Sequence, residues 1–186
     1  MSDATLALIE IVPTTTTKDA AAAVIEQAKQ RAADAGAELI EAEVTAGADR
    51  VFLVFETTDQ TALGTAILGI DGAAEVDGPD EVRLVGADLA DIKAVRPEAG
   101  YLVEWDIPAH IDMDTYLARK KEKSPRYAEI PEVSFLRTYV REDTAKCLCL
   151  YNAPDEDAVV RARQIVETPI DRLHALSTAP VAQESL

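Results

Sequence analysis

The chemistry open to this sequence is concentrated in its second half, on five residues set in β-rich runs: Glu104, Arg137, Tyr139, Tyr151 and His174. Tyr101 to Ile107 reads as a strand stopped by Pro108. Val133 to Val140 and Lys146 to Tyr151 read as the arms of a hairpin, and Arg172 to Ser177 as a last strand. Side chains alternate across a strand, so parity assigns each residue to a face. Phe135, Arg137, Tyr139, Cys147, Cys149 and Tyr151 make one set, while Leu136, Thr138, Val140, Leu148 and Leu150 suit a helix-covered face. Glu104 goes with Leu102 and Asp106, and His174 shares the face of Arg137. These five polar residues are therefore expected to converge on a space between two sheets. A carboxylate or imidazole beside a guanidinium and phenols suits proton abstraction: His174 or Glu104 would be the general base, and Tyr139 or Arg137 would stabilise an enolate. Simple binding is the plainer use, with Arg137 and the tyrosine hydroxyls meeting an acidic or carbonyl group.

Each candidate also has a purely structural reading. Glu104 and Arg137 can form an ion pair across neighbouring strands, the tyrosines are ordinary for a half-buried sheet, and His174 can be a satisfied core or rim histidine. His110, beside Pro108, is expected in an exposed loop, and Lys120, Lys121 and Lys123 read as a solvated basic face in preference to an anion site. Cys147 and Cys149 are alternate residues of one strand, with Cα atoms roughly 6.5–7 Å apart, at or past the limit of disulfide geometry. Free thiols are the simpler expectation.

These residues need elements to hold them in register, and the chain supplies the same series twice. In the first half, Leu6 to Val12 is a strand, Lys18 to Ala35 an alanine-rich helix, and Glu38 to Thr45 and Val51 to Glu56 two strands. A helix from Gln60 to about Leu68, a turn at Asp77-Gly78-Pro79-Asp80 and a strand from Val82 to Val85 follow. In the second half, helices from Asp112 to about Lys123 and from Asp155 to Val166 alternate with the strands named above. Leu39 and Phe135, Val51 and Cys147, Phe55 and Tyr151, Asp59 and Asp155, and Ala62 and Ala158 are each 96 residues apart, without a gap. Each half reads β-α-β-β-α-β, an order whose helices cover one sheet face and leave the other in need of a partner.

The expected fold is therefore α+β: two tandem ferredoxin-like units forming a pseudodimeric α+β barrel. The boundaries are 1–88 for the first unit, 89–100 for a linker, 101–178 for the second unit and 179–186 for a tail. Glu10, Glu41, Glu43, Phe55 and Val85 are the first unit's counterparts of the cleft residues. Glu10, Glu41 and Glu43 with His174 would suit a hard or borderline divalent metal.

Composition bounds the rest. Of 186 residues, 48% are hydrophobic and 28% charged, so the chain should bury a core. A net charge of −16 repels phosphate, which argues against nucleic acid or an anionic membrane and fits a cation ligand or a high-salt habitat. No stretch approaches the ~18 apolar residues of a membrane span, and the first residues lack the pattern of a leader. Glycine-rich phosphate loops, a nucleophile elbow, His-Glu-x-x-His and Cys-x-x-Cys are all absent.

Three pieces of the second half carry a family resemblance: Tyr-Leu-Val-Glu-Trp-Asp-Ile-Pro from Tyr101, Val-Ser-Phe-Leu-Arg-Thr-Tyr-Val with Lys-Cys-Leu-Cys-Leu-Tyr across the hairpin, and Asn-Ala-Pro-Asp-Glu-Asp-Ala-Val from Asn152. Together they resemble a bacterial family of small ferredoxin-like proteins that includes a nickel-binding actinobacterial member. The resemblance implies a ferredoxin-like fold for Gly100 to Thr178, with the first half a diverged repeat. Family members often carry metal-binding histidines on the helix after Ala-Pro-Asp. Here that helix reads Val159 to Val166 without one, and Asn152 stands where an acid is usual, so nickel is not carried over.

The reading that follows is a soluble, cytoplasmic protein binding a small organic molecule or a carboxylate-held divalent metal between its sheets. Glu104, Arg137, Tyr139, Tyr151, His174, Glu10, Glu41 and Glu43 would line the site, and the partner range extends to a homodimer of pseudodimers. The same cleft would serve a cofactor-independent enzyme of the α+β-barrel type, a monooxygenase, isomerase or cyclase. A structural or assembly protein is the third reading.

Overall fold

The computed structural model describes residues 3–95 and 98–177. The expected tail 179–186, Thr178, and residues 96 and 97 of the expected linker lie outside the described residues. The chain divides into two compact units, one of Met1–Val82 with Ala90–Arg96 and one of Arg83–Leu89 with Pro97–Leu186.

The first unit runs β1 (Thr5–Pro13), α1 (Lys18–Asp34), β2 (Glu38–Val44), β3 (Val51–Thr57), α2 (Gln60–Ile67) and β4 (Ala73–Val85), whose last residues belong to the second unit. Its strands lie in the order β2-β3-β1-β4, all antiparallel. Thr17 caps α1 by accepting from the Ala20 amide at 3.1 Å. Ala21, Val24, Ala28 and Ala32, three and four residues apart, turn one face to the sheet and pack on Ala7, Ile9, Ile11, Val51, Leu53 and Phe55. Alanine on this face lets the helix approach closely, and Gly36, with φ +81°, ends it.

The expected linker, read as an open or short helical connection, holds a helix, α3 (Leu89–Val95), whose Lys93 pairs with Glu56 and Glu38 of the first unit. The second unit continues with β5 (Tyr101–Asp106), α4 (Met113–Lys123), a 3-10 turn (Ser124–Glu129), β6 (Ser134–Arg141), β7 (Lys146–Asn152), α5 (Glu156–Ile165) and β8 (Arg172–Ala175). Its strand order, β6-β7-β5-β8, repeats that of the first unit.

The repeat extends to details. Leu39 faces Phe55 and Glu41 faces Val54, with Ile40 as an extra residue; Phe135 faces Tyr151 and Arg137 faces Leu150, with Leu136 as the extra one. Asp59 caps α2 through the Ala62 amide at 2.9 Å, and Asp155 caps α5 through the Ala158 amide at 2.8 Å. Bulge, pairing and cap thus recur 96 residues apart.

Two expectations are corrected. Asp77 to Asp80 is not a turn: β4 runs through it, and the register against β1 shifts between the Leu8–Asp80 and Glu10–Asp77 pairs. Gly78 makes that possible, because at φ +104° a Cβ there would lie 2.4 Å from the Leu8 carbonyl oxygen. The second correction concerns parity. A bulge inserts one residue and inverts the faces beyond it, so Phe135 no longer shares the face of Arg137 and Tyr139. Phe135, Cys147, Cys149 and Tyr151 pack with Tyr101, Val103, Trp105 and Val140 against α4 and α5, and Phe55 likewise lies on the helix side of its unit. Leu148 and Leu150, expected under the helices, take the opposite face.

Candidate functional site

On the face of the second unit turned from its helices, antiparallel pairing places Arg172 opposite Glu104 and His174 opposite Leu102. Glu104 is completely buried. One carboxylate oxygen accepts from Lys146 Nζ at 2.8 Å; the other meets Arg172 Nε at 2.8 Å and His174 Nε2 at 2.7 Å. Arg172 also grips Asp106, at 3.0 Å and 2.6 Å. Burial alone would raise the Glu104 carboxyl, but bonds from His174, Lys146 and Arg172 outweigh it and hold the group well below the usual carboxylate range. A carboxylate fixed in its ionised form this way is ill suited to collect a proton near neutral pH, so the general-base role falls away from Glu104. Arg137 and Tyr139 are buried on the same face. They are on β6, however, and β7 lies between β6 and β5, so Glu104 and Arg137 are not on neighbouring strands.

Tyr151 is placed elsewhere, on the helix side. Its hydroxyl shares a 2.6 Å bond with Tyr127 and accepts from Arg163 Nη1 at 3.1 Å. In the first unit, Glu10, Glu41 and Glu43 pair with Phe52, Val54 and Phe52 respectively, on the face turned from the helices, and Arg50 reaches Glu10 at 3.4 Å.

The space beneath the helices of the second unit is the more distinctive feature. A cavity of about 30 Å³ is lined by Trp105, Tyr116, Cys147, Cys149 and Arg163 at its inner end. Half-exposed Arg119, Lys120, Lys123 and Ser124 frame the rest. That volume accommodates one or two water-sized groups. Four of the lining side chains are cationic and none is a carboxylate, in a chain whose net charge is −16. Arg163 is 3% exposed. Its Nη2 donates to the Pro169 carbonyl at 2.6 Å, and its Nη1 serves Tyr151 and, at 3.5 Å, Cys149 Sγ; its Nε is buried with no partner. Arg119 lies over the Trp105 ring, 5.8 Å from its centre, and Lys120 over Phe135 at 4.3 Å. Burial lifts the Tyr127 hydroxyl to about 12 and the Tyr116 and Tyr151 hydroxyls further, so all three stay protonated donors.

Lys120 and Lys123 are thus part of a pocket, against the expectation of a merely solvated face. Sequence parity missed Arg163 altogether, yet the repeat contains its signal. The first unit has Val51, Leu53, Phe55 and Ile67 at the positions, 96 residues earlier, of Cys147, Cys149, Tyr151 and Arg163. One copy fills its helix–sheet interior with hydrocarbon; the other places two thiols, a phenol and a guanidinium there. The fold itself does not require that chemistry.

Residues 101–176 match the family model described as nickel responsive protein SCO4226-like, and residues before 101 lie outside the match. No curated protein matches the chain. Among solved structures, a "putative monooxygenase" from Lactobacillus acidophilus NCFM superposes with a TM-score of 0.52 at 9% identity, covering 95% of this chain and 93% of that one. A "putative chlorite dismutase" does so with a TM-score of 0.51 at 13% identity, covering 95% of each chain. At such identities the likeness is one of fold: the tandem ferredoxin-like arrangement of the α+β-barrel class extends over nearly the whole chain.

Proposed function

We propose that this chain is a small-ligand-binding protein whose site is the pocket beneath α4 and α5, and that its ligand is a compact anion or the anionic head of a longer molecule. The observation that carries the reading is Arg163, buried, permanently charged and with Nε unpartnered beside a cavity. A buried charge that is only partly compensated is costly, and a bound anion offsets that cost. Lys120 and Arg119 at the mouth would draw the anion in, while Lys123 there already pairs with Glu167 at 2.8 Å.

The donor set does not fit a resident metal ion. Among the described residues no group of three or more His, Cys, Asp or Glu side chains is arranged to hold one, and α5 carries no histidine. Glu10, Glu41 and Glu43 form no such group either. A cofactor-independent enzyme would draw on the same fold likeness; with Glu104 held in its ionised form, its base would have to be His174, bonded to Glu104 at 2.7 Å.

Calorimetric titration with acetate, nitrite, sulfate and phosphate at constant ionic strength tests the proposal. At least one should bind the unaltered protein, and Arg163→Met should weaken it roughly tenfold or more, as expected for loss of a charge-assisted hydrogen bond. If none of the four binds, or if the arginine substitution leaves affinity unchanged, the reading fails.

A further inference from the structure

The same cavity contains a pair of thiols that anion binding does not use. Cys147 and Cys149 project from one face of β7 with their sulfurs 3.9 Å apart, both buried and both lining the cavity. Cys149 Sγ also receives Thr138 Oγ1 at 3.2 Å and Arg163 Nη1 at 3.5 Å. A hydroxyl and a guanidinium thus both point donors at one sulfur, with the Cys147 thiol beside it. Such an environment favours thiolate, the nucleophilic form. Structural buried cysteines ordinarily lie among hydrocarbon, as Leu53 does at the matching position of the first unit.

We infer that Cys149 is a peroxide-reactive thiol, oxidised by hydrogen peroxide to sulfenic acid inside this cavity, with Thr138, Arg163 and Cys147 as positioning residues. The inference rests on the pocket proposed above but not on an anion being its resident ligand. The Cys149 sulfur attacks one peroxide oxygen; an S–O bond forms as the O–O bond breaks. Sulfur loses two electrons, the peroxide gains them, and the departing hydroxide takes up a proton equivalent to the one Cys149 gave to solvent. Thiol and peroxide therefore yield sulfenic acid and water. Arg163, whose Nη1 lies 3.5 Å from Cys149 Sγ, brings its positive charge close to the departing oxygen, where negative charge develops. A cavity of about 30 Å³ sets the specificity, since hydrogen peroxide is close to water in size and an aromatic reagent is not. The direction of the thiol equilibria agrees: hydrogen bonding from Cys147, helped by Lys120, Arg163 and Thr138, overcomes burial and lowers the Cys149 thiol, while Cys147 is raised.

The test uses the full chain, reduced and free of added anions, exposed to hydrogen peroxide for timed intervals, quenched with catalase, then unfolded in urea with dimedone present and read by mass spectrometry. The dimedone adduct is expected on Cys149, forming at least tenfold faster than on free cysteine. Thr138→Val, nearly isosteric, and Arg163→Met should each slow it roughly tenfold. Thr138→Val keeps the test decisive if the arginine variant does not fold. An aromatic disulfide reagent should label the native protein far more slowly than the urea-unfolded one. The inference is overturned by labelling on Cys147 in place of Cys149, by a rate no faster than that of free cysteine, or by a rate indifferent to Thr138→Val. Oxidation without measurable anion binding would sink only the binding proposal; anion binding without oxidation would sink only this one.

Discussion

At the scale of single residues, Glu104 and Arg163 show opposite uses of a buried charge. Glu104 is wholly compensated by Lys146, Arg172 and His174, and its role is to bind β5, β7 and β8 together. Glu104→Gln leaves Lys146 and Arg172 facing a neutral amide, and should cost about 3–5 kcal/mol of stability in urea unfolding. Because the folded carboxyl is held below its ordinary value of 4.5, its contribution is fully present above that value and is lost as pH falls through the folded one. The stability gap between parent and variant should hold steady from neutral pH to about 5 and narrow below it. A gap that widens on acidification would refute this account. Arg163 is only partly compensated, and Ile67 shows that hydrocarbon suffices at the matching position of the first unit. Arg163→Met should therefore stay within about 2 kcal/mol of the parent in stability while losing the ligand.

At the scale of elements, propensity and punctuation are legible and bulges are not. The helices start at Thr17, Asp59, Asp112 and Asp155, each a side chain able to satisfy an open amide. Their apolar spacing leaves little choice of face. Ile40 and Leu136 carry no such signal; each is an ordinary apolar residue that happens to be the extra one in its strand. Parity counted through such a point is inverted, which is why Tyr151 and Phe55 were expected in a cleft and lie under helices. The Gly78-Pro79 pair misleads in the other direction, reading as a turn while serving a register shift inside β4. Gly78→Ala should be among the more damaging small substitutions, costing on the order of 3 kcal/mol or more, because both the Leu8 carbonyl and the positive φ oppose a side chain. Thermal unfolding of that variant beside Gly47→Ala, where nothing crowds the added carbon, would check it.

At the scale of the whole molecule, the chain contains one fold twice and one chemistry once. The family match covers residues 101–176 while the likeness to solved structures covers 95% of the chain, the pattern expected when architecture outlasts sequence in one copy. The net charge of −16 acts at this scale as well, as self-repulsion in the folded state. Raising sodium chloride from 0.01 to 0.5 M, which shortens the screening length from ~30 Å to ~4 Å, should raise the melting temperature by a few degrees. A fall would show that attractive surface pairs outweigh the repulsion. No helix is long and apolar enough to cross a membrane among the described residues.

The amino-acid sequence by itself determined the element order, the duplication and the offset of 96 residues, because caps, strand runs and apolar spacing are local properties written residue by residue. It also brought Glu104 and His174 to one face, since β5 and β8 contain no bulge and parity holds along them. Tertiary structure decided which polar residues share a space. Cys149, Tyr151 and Arg163 meet because β7 turns that face to the helices and α5 lays its apolar face, with one arginine in it, over it, while the β6 bulge sends Arg137 and Tyr139 to the other side. That meeting depends on long-range packing, which no local pattern encodes.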